Sequence, residues 1–126
     1  AYDASYTLPA RLQAAGIRFC ISSSGRSETW NSRNLPYHAA TAVAFGLDQD
    51  QAIRSITLSP AEIFGVADRL GSLEVGKDAT LIVTDGNPLE ISTQTKLAFI
   101  QGRRLDLSNK QTRLRDKYLQ KYEEQK

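Results

Sequence analysis

The chain has 126 residues, of which 40% are hydrophobic and 24% are charged, as is usual for a soluble globular domain. It contains no run of about eighteen apolar residues, so a membrane span is not expected. The net charge is +2, with a surplus of +3 in residues 110–126 and −1 elsewhere, which predicts a basic tail on a nearly neutral body rather than a nucleic-acid-binding domain.

The first predicted elements are a helix and a strand that follows it directly. Leu8 to Gly16 is typical of a helix that ends at a glycine, and Ile17 to Ile21 is typical of a buried strand. Cys20 lies in this strand, where we expect a buried, unreactive thiol, and as the single cysteine it forms no internal disulfide. A helix that leads directly into a strand indicates an α/β fold. The chain has no methionine, so we expect a processed or excised piece.

A polar loop of small residues follows the strand, from Ser22 to Arg33. Loops after the carboxyl ends of strands are where α/β folds place their chemistry. Its serines are candidates for binding an anion or for a nucleophile, but no histidine and acid nearby complete a triad. We therefore favour a substrate-lining loop, with Arg26, Trp30 and Arg33 in contact with substrate in a complete enzyme.

Three helices are predicted after the loop. The first runs from Asn34 to Gly46, and its His38 is expected to be structural or on the surface rather than catalytic. The other two begin with capping boxes, in which a capping side chain is followed three residues later by Glu or Gln. These boxes are Asp48 with Gln51, and Ser59 with Glu62.

The segment from Gly71 to Leu89 has the most distinctive pattern in the chain. Its first part, Gly71 to Gly76, predicts a short strand between two glycines that are five residues apart. Ala79 to Val83 predicts a buried strand, and the turn residues 85–88 end the unit. Another strand is predicted at Leu97 to Ile100.

The last predicted element is an amphipathic helix. Ser108 and Gln111 form its predicted capping box, and it extends to about Tyr122. Leu114, Tyr118 and Tyr122 share one face, which we expect to pack on the body or on another subunit. Acidic residues interspersed with the basic ones argue against a nucleic-acid partner.

The segment Gly71–Leu89, together with Leu58–Gly65 ahead of it, resembles the C-terminal signature of the amidohydrolase superfamily, the metal-dependent hydrolases of the imidazolonepropionase and dihydroorotase kind. The resemblance covers about residues 8–106. It implies an α/β fold class: the last βα part of a (β/α)8 barrel with Ile17–Ile21 as strand eight, strands of the small β-sandwich, and a C-terminal helix. The corresponding divisions are residues 1–66, 67–107 and 108–126.

The resemblance also implies hydrolysis of non-peptide carbon–nitrogen bonds, such as those of cyclic amides, at zinc or another divalent metal. Four histidines and an aspartate commonly serve such sites in the family, and the aspartate follows strand eight. Here Ser24, or as a second choice Ser23, occupies that position. Serine is a poor metal ligand and no general base near neutral pH. We therefore expect no metal site in this chain, no activity of the chain alone, and the metal in the parent enzyme.

Two classes of function stay open. In the first, the chain is the C-terminal fragment of a hydrolase whose small-molecule substrate binds only to the full-length protein, with no nucleic-acid or membrane partner. In the second, it is a non-catalytic interaction or assembly module that forms a homo-oligomer through an exposed sheet edge or apolar helix faces. The sequence indicates a soluble protein and leaves its compartment, cytoplasmic or periplasmic, undecided.

Overall fold

A computed structural model describes residues 2–23 and 28–124, which form helices and one antiparallel sheet. None of the described helices is long and apolar enough to cross a membrane. The helices are α1 (Ala4–Ala14), α2 (Glu28–Asn31), α3 (Leu35–Ala44), α4 (Gln49–Ile56), α5 (Leu58–Ile63) and α6 (Lys110–Glu123), with a 3-10 turn at Ser32–Asn34 after α2. The strands are β1 (Leu81–Thr84), β2 (Thr95–Ile100) and β3 (Arg103–Arg104).

The predicted strand Ile17–Ile21 is not a strand of the described sheet. Its backbone is irregular, and the Ile21 N–H donates to the Ser55 carbonyl at the end of α4, at 3.1 Å. A strand needs a second strand beside it, and the described chain places a helix end there instead. The helix before it, α1, starts at Ala4, earlier than the predicted Leu8.

Helices α3 and α4 form as predicted. The Asp48 carboxylate caps α4 by accepting from the Gln51 N–H at 3.0 Å. For α5 the predicted cap is wrong, because Thr57 alone separates the two helices and α5 begins at Leu58. Ser59 therefore lies inside the helix, and the Glu62 carboxylate binds Arg54 rather than a capping N–H group.

The buried core joins the helical part to the segment after β1. Ala39 and Ala42 of α3 pack against Ala52 of α4, together with Leu47 between the helices and Leu89 after β1. Small side chains allow the two helix backbones to approach closely, and Leu89 fills the space beside them. Leu89 thereby attaches the sheet part to the helices.

The glycine-spaced segment forms one strand rather than two. The predicted strand Gly71–Gly76 consists of turns, and β1 begins at Leu81 instead of Ala79. Gly71 has φ +92°, and a Cβ there would lie 2.8 Å from the Ala61 Cβ and 2.9 Å from the Leu58 Cα. Only glycine fits this close approach of the segment to α5.

The sheet is antiparallel in the order β1-β2-β3, with Leu81 opposite Phe99 and Val83 opposite Leu97. The hairpin from β2 to β3 turns at Gln101 and Gly102, both with positive φ, as a two-residue turn of this handedness requires. The expectation that β1 is buried is wrong. Ile82 is 57% exposed and Val83 43% exposed, so the described chain leaves both faces of β1 partly uncovered.

Helix α6 has its capping box one residue later than predicted. The Asn109 side chain accepts from the Gln111 and Thr112 N–H groups, and the Thr112 hydroxyl accepts from the Asn109 N–H. Asn109 therefore takes the role that we predicted for Ser108. The apolar face does not pack on the described body as expected, since Leu114, Tyr118 and Tyr122 are all exposed.

Candidate functional site

The residues predicted to form the site fall partly outside the described residues. Ser24 and Arg26 lie there, so their roles stay predictions. Trp30 of α2 is 82% exposed, and Arg33, in the 3-10 turn after it, is also exposed. Both side chains are therefore open to solvent, and the prediction of a loop from Ser22 to Arg33 is wrong for its second half, which is helical from Glu28 onward.

Ser23, the second candidate for the aspartate position, has a distinctive environment. Its hydroxyl oxygen is buried and has no hydrogen-bond partner among the described residues. A buried polar group left without a partner costs about 1–3 kcal/mol. Ser23 therefore has an unused hydrogen-bonding group at the beginning of the candidate site.

The backbone just before this serine is fixed by α4. The Ser55 carbonyl, one of the last of the helix, accepts from the Ile21 N–H, while the buried Ser55 hydroxyl donates to the Ala52 carbonyl at 2.7 Å. A carbonyl in the last turn of a helix has no partner within the helix and is free to bind another segment. The start of the loop thus takes its position from a helix end.

The residues expected to be non-catalytic lie near the same segment. His38 is exposed and borders a small hollow of about 180 Å³ that Ile21 and Tyr6 also line. Cys20 is half-buried and free, less enclosed than the predicted core thiol.

Within residues 2–23 and 28–124, no group of three or more His, Cys, Asp or Glu side chains could hold a metal ion. Zinc sites use three or four such ligands. The described residues therefore do not fit the zinc or other divalent ion that the family resemblance implies for the parent enzyme.

Ion pairs and hydrogen bonds connect the turns of the glycine-spaced segment to one another and to Arg69. Arg69 Nη2 lies 2.8 Å from Asp78 Oδ2, and the hydrogen bond to this carboxylate raises the pKa of Arg69. Hydrogen bonds from Ser72 and Lys77 lower the pKa of Glu74. The Arg69 and Glu74 side chains are largely exposed, whereas those of Asp78 and Lys77 are only 26% and 13% exposed.

A polar pocket between α1, α4 and α5 was missed by the sequence reasoning. It has a volume of about 220 Å³ and is lined in part by Arg18, Arg54, Ser59 and Glu62. Arg54 Nη2 lies 2.6 Å from Glu62 Oε1, and Arg18 Nε lies 3.5 Å from Glu62 Oε2. The only signal in the sequence was Arg18, a charged residue within an otherwise apolar predicted strand.

Comparison with known proteins identifies a matching family and several similar proteins. The sequence profile of the amidohydrolase family matches residues 5–107. The chain is 32% identical over 72 residues to amidohydrolase tasK of Hapsidospora irregularis, covering 57% of this chain and 7% of that protein. It is 30% identical over 82 residues to an imidazolonepropionase of Syntrophobacter fumaroxidans, covering 64% and 19% respectively.

Two solved structures share the fold. An amidohydrolase from Thermotoga maritima MSB8 superposes with a TM-score of 0.72 at 28% identity, over 80% of this chain and 26% of that one. An adenosine deaminase from Xanthomonas campestris with bound zinc gives a TM-score of 0.64 at 22% identity, over 86% and 31% respectively. The chain thus spans less than a third of the length of each of these four proteins.

Proposed function

Because the chain belongs to the amidohydrolase family, we propose that it supplies the last barrel strand, the helices after it and part of the small β-sandwich of a larger metal-dependent hydrolase that acts on non-peptide carbon–nitrogen bonds. The observation that carries this proposal is the superposition of 80% of the chain on 26% of a solved amidohydrolase. The named relatives, an amidohydrolase and an imidazolonepropionase, support the same class of reaction.

In this proposal the loop after Ile21 faces the substrate. Ser24 stands where the family has its strand-eight aspartate, and Arg26, Trp30 and Arg33 line the small-molecule substrate of the full-length protein. The link between Ile21 and Ser55 positions the loop. Serine in place of an acid leaves this position without a group that could take up a proton near neutral pH.

The metal of the parent enzyme would bind outside the described residues, which do not fit one. A bound divalent ion supplies a hydroxide near neutral pH by lowering the pKa of its water to about 7. The zinc-bound deaminase with the same fold supports a divalent ion in the parent enzyme.

Metal analysis and an amidase screen of the isolated chain test the proposal. We expect no stoichiometric zinc and no turnover of cyclic amides, with a complete family enzyme assayed in parallel as the positive control. Zinc bound at one equivalent together with turnover would contradict the proposal. The coding sequence upstream of Ala1 provides a second test, since a His-x-His motif there would support a metal enzyme.

A second candidate function, an assembly module that self-associates, is favoured by the exposed apolar edge strand. Ile82 and Val83 of β1 project from a strand with one unpaired edge in the described sheet, and such edges pair readily with another chain. Size-exclusion chromatography with light scattering tests this idea. A mass equal to one chain at all concentrations would argue against it.

A further inference from the structure

The polar pocket between α1, α4 and α5 is separate from the candidate site. Its charged lining side chains are Arg18, Arg54 and Glu62, and its polar ones include Gln51 and Ser59. The loop that carries the predicted catalytic position contributes none of its described lining residues. The pocket is therefore distinct from the predicted catalytic loop, although Ser55, which binds the Ile21 N–H, also borders it.

The balance of charge and hydrogen-bond donors in this pocket favours an anion. Arg18 and Arg54 both approach the single carboxylate of Glu62, which leaves one net positive charge. Each guanidinium has five N–H donors, so each arginine retains donors for a second acceptor. The carboxamide of Gln51 adds further donors at the same wall.

Ser59 offers the pocket a hydroxyl that the described chain leaves uncommitted. The residue is only 7% exposed, lines the pocket, and its side chain takes part in no hydrogen bond with the described residues. Glu62 Oε2 is buried without a hydrogen-bond partner among the described residues and lies 3.5 Å from Arg18 Nε. A carboxylate oxygen only accepts, so it would bind a water beside the ligand, whereas the Ser59 hydroxyl can donate to the ligand itself.

We propose that this pocket binds a small oxyanion, a carboxylate or a phosphate, held by the N–H groups of Arg18 and Arg54 and by the Ser59 hydroxyl. Planar guanidinium groups match the two oxygens of either anion. The pocket, about 220 Å³ in volume and partly open to solvent, has room for an anion of a few heavy atoms.

Calorimetric titration of the whole chain with inorganic phosphate, and separately with acetate, tests the proposal at constant ionic strength. We expect saturable binding of at least one anion with one site per chain. R18Q should weaken it about tenfold or more, because one charged donor is lost. S59A should weaken it by a smaller factor without lowering Tm, since no existing hydrogen bond is removed and alanine is the better helix former.

R69Q is the matched control, because Arg69 is also an ion-paired arginine of similar exposure, 58% against 64% for Arg18, but lies outside the pocket. The R69Q variant should bind the anion with the same affinity as the unmodified chain. Absence of saturable binding overturns the proposal. So does binding that survives both R18Q and S59A, or a loss in R69Q as large as in R18Q. Circular dichroism of each variant shows that it is folded.

Discussion

The contact between α3 and α4 in the helical part, residues 35–63, buries its apolar side chains, whereas β1 in the sheet part, residues 71–105, leaves two of its own largely exposed. In the helical part, Ala39 and Ala52 are completely buried where α3 crosses α4. In the sheet part, Ile82 and Val83 stay largely exposed on an edge strand. The contact between α3 and α4 is thus closely packed, whereas β1 presents a surface that the described chain leaves uncovered.

This contrast agrees with the lengths of the relatives. The chain superposes on about a quarter of a solved amidohydrolase, so packing surfaces that belong to the rest of such a protein would be expected on one side of it. The following predictions test how the helical part and the sheet part are held together and stabilised. They are given from the largest expected effect to the smallest.

Leu89→Ala should cause the largest loss of stability. Leu89 is 6% exposed and packs into the alanine core, so the cavity should cost about 2–5 kcal/mol. Ile91→Ala, two residues along the same segment and 79% exposed, should cost close to nothing. Urea unfolding monitored by circular dichroism measures both. Equal losses would mean that the sheet part is not attached through Leu89.

Gly71→Ala should be the next most damaging change. The new Cβ would clash with Ala61 and Leu58, in addition to the strain of positive φ, so we expect about 2–4 kcal/mol in urea unfolding. Gly76→Ala is the control, because its φ is +96° but nothing lies within 4 Å of the position that its new Cβ would take. It should show the strain alone, about 1–2 kcal/mol. Similar losses for the two would argue against close packing of Gly71 on α5.

Asn109→Ala should destabilise α6 by about 1 kcal/mol, because both capping hydrogen bonds of its side chain are lost. Ser108→Ala should have little effect on the helix, since that hydroxyl bonds to Asp106. Carbon chemical shifts of residues 110–113 measure the loss of helix. The unfolding of the body should be unchanged in both variants, because α6 is exposed along its length.

The smallest effect is expected from pH at Asp85. A hydrogen bond from Lys96, with a further one from the Gln94 N–H, lowers the pKa of this carboxyl below its ordinary 3.8. The contribution of the Asp85 carboxylate to the free energy of unfolding is therefore present above pH 3.8 and is lost as the pH falls toward the lowered pKa. Asp85→Asn should remove that part of the pH dependence of unfolding. An unchanged acid profile in this variant would show that the pair contributes nothing.

Local signals in the sequence predicted the presence of the helices well, but they did not always predict which residue caps a helix. Asp48 caps α4 as its position suggested, whereas Ser59 does not cap α5, because the preceding helix ends only one residue before α5 begins. The exposure of Val83 could not be predicted either. A run of β-branched residues indicates a strand that suits a buried position. It does not indicate whether the residues that would cover the strand belong to the same chain segment.

The candidate site was less accessible to sequence reasoning than the fold. The family resemblance located the loop after Ile21, but half of its predicted residues lie outside the described chain. The pocket combines Arg54 and Glu62 of two consecutive helices with Arg18, which is far from them in sequence. Neither the charge pattern nor the spacing of these residues in the sequence predicts that they lie close together. The spacing from Ser59 instead assigns Glu62 to a capping box that does not form.

The hydrogen bond from the Ile21 N–H to the Ser55 carbonyl couples the start of the loop to the motion of α4. Its amide proton can exchange with solvent only when the end of α4 moves away, so its protection should follow that of the helix rather than that of a sheet. A substitution near the end of α4 that weakens the helix should therefore speed exchange at Ile21, even from a position that does not contact Ile21.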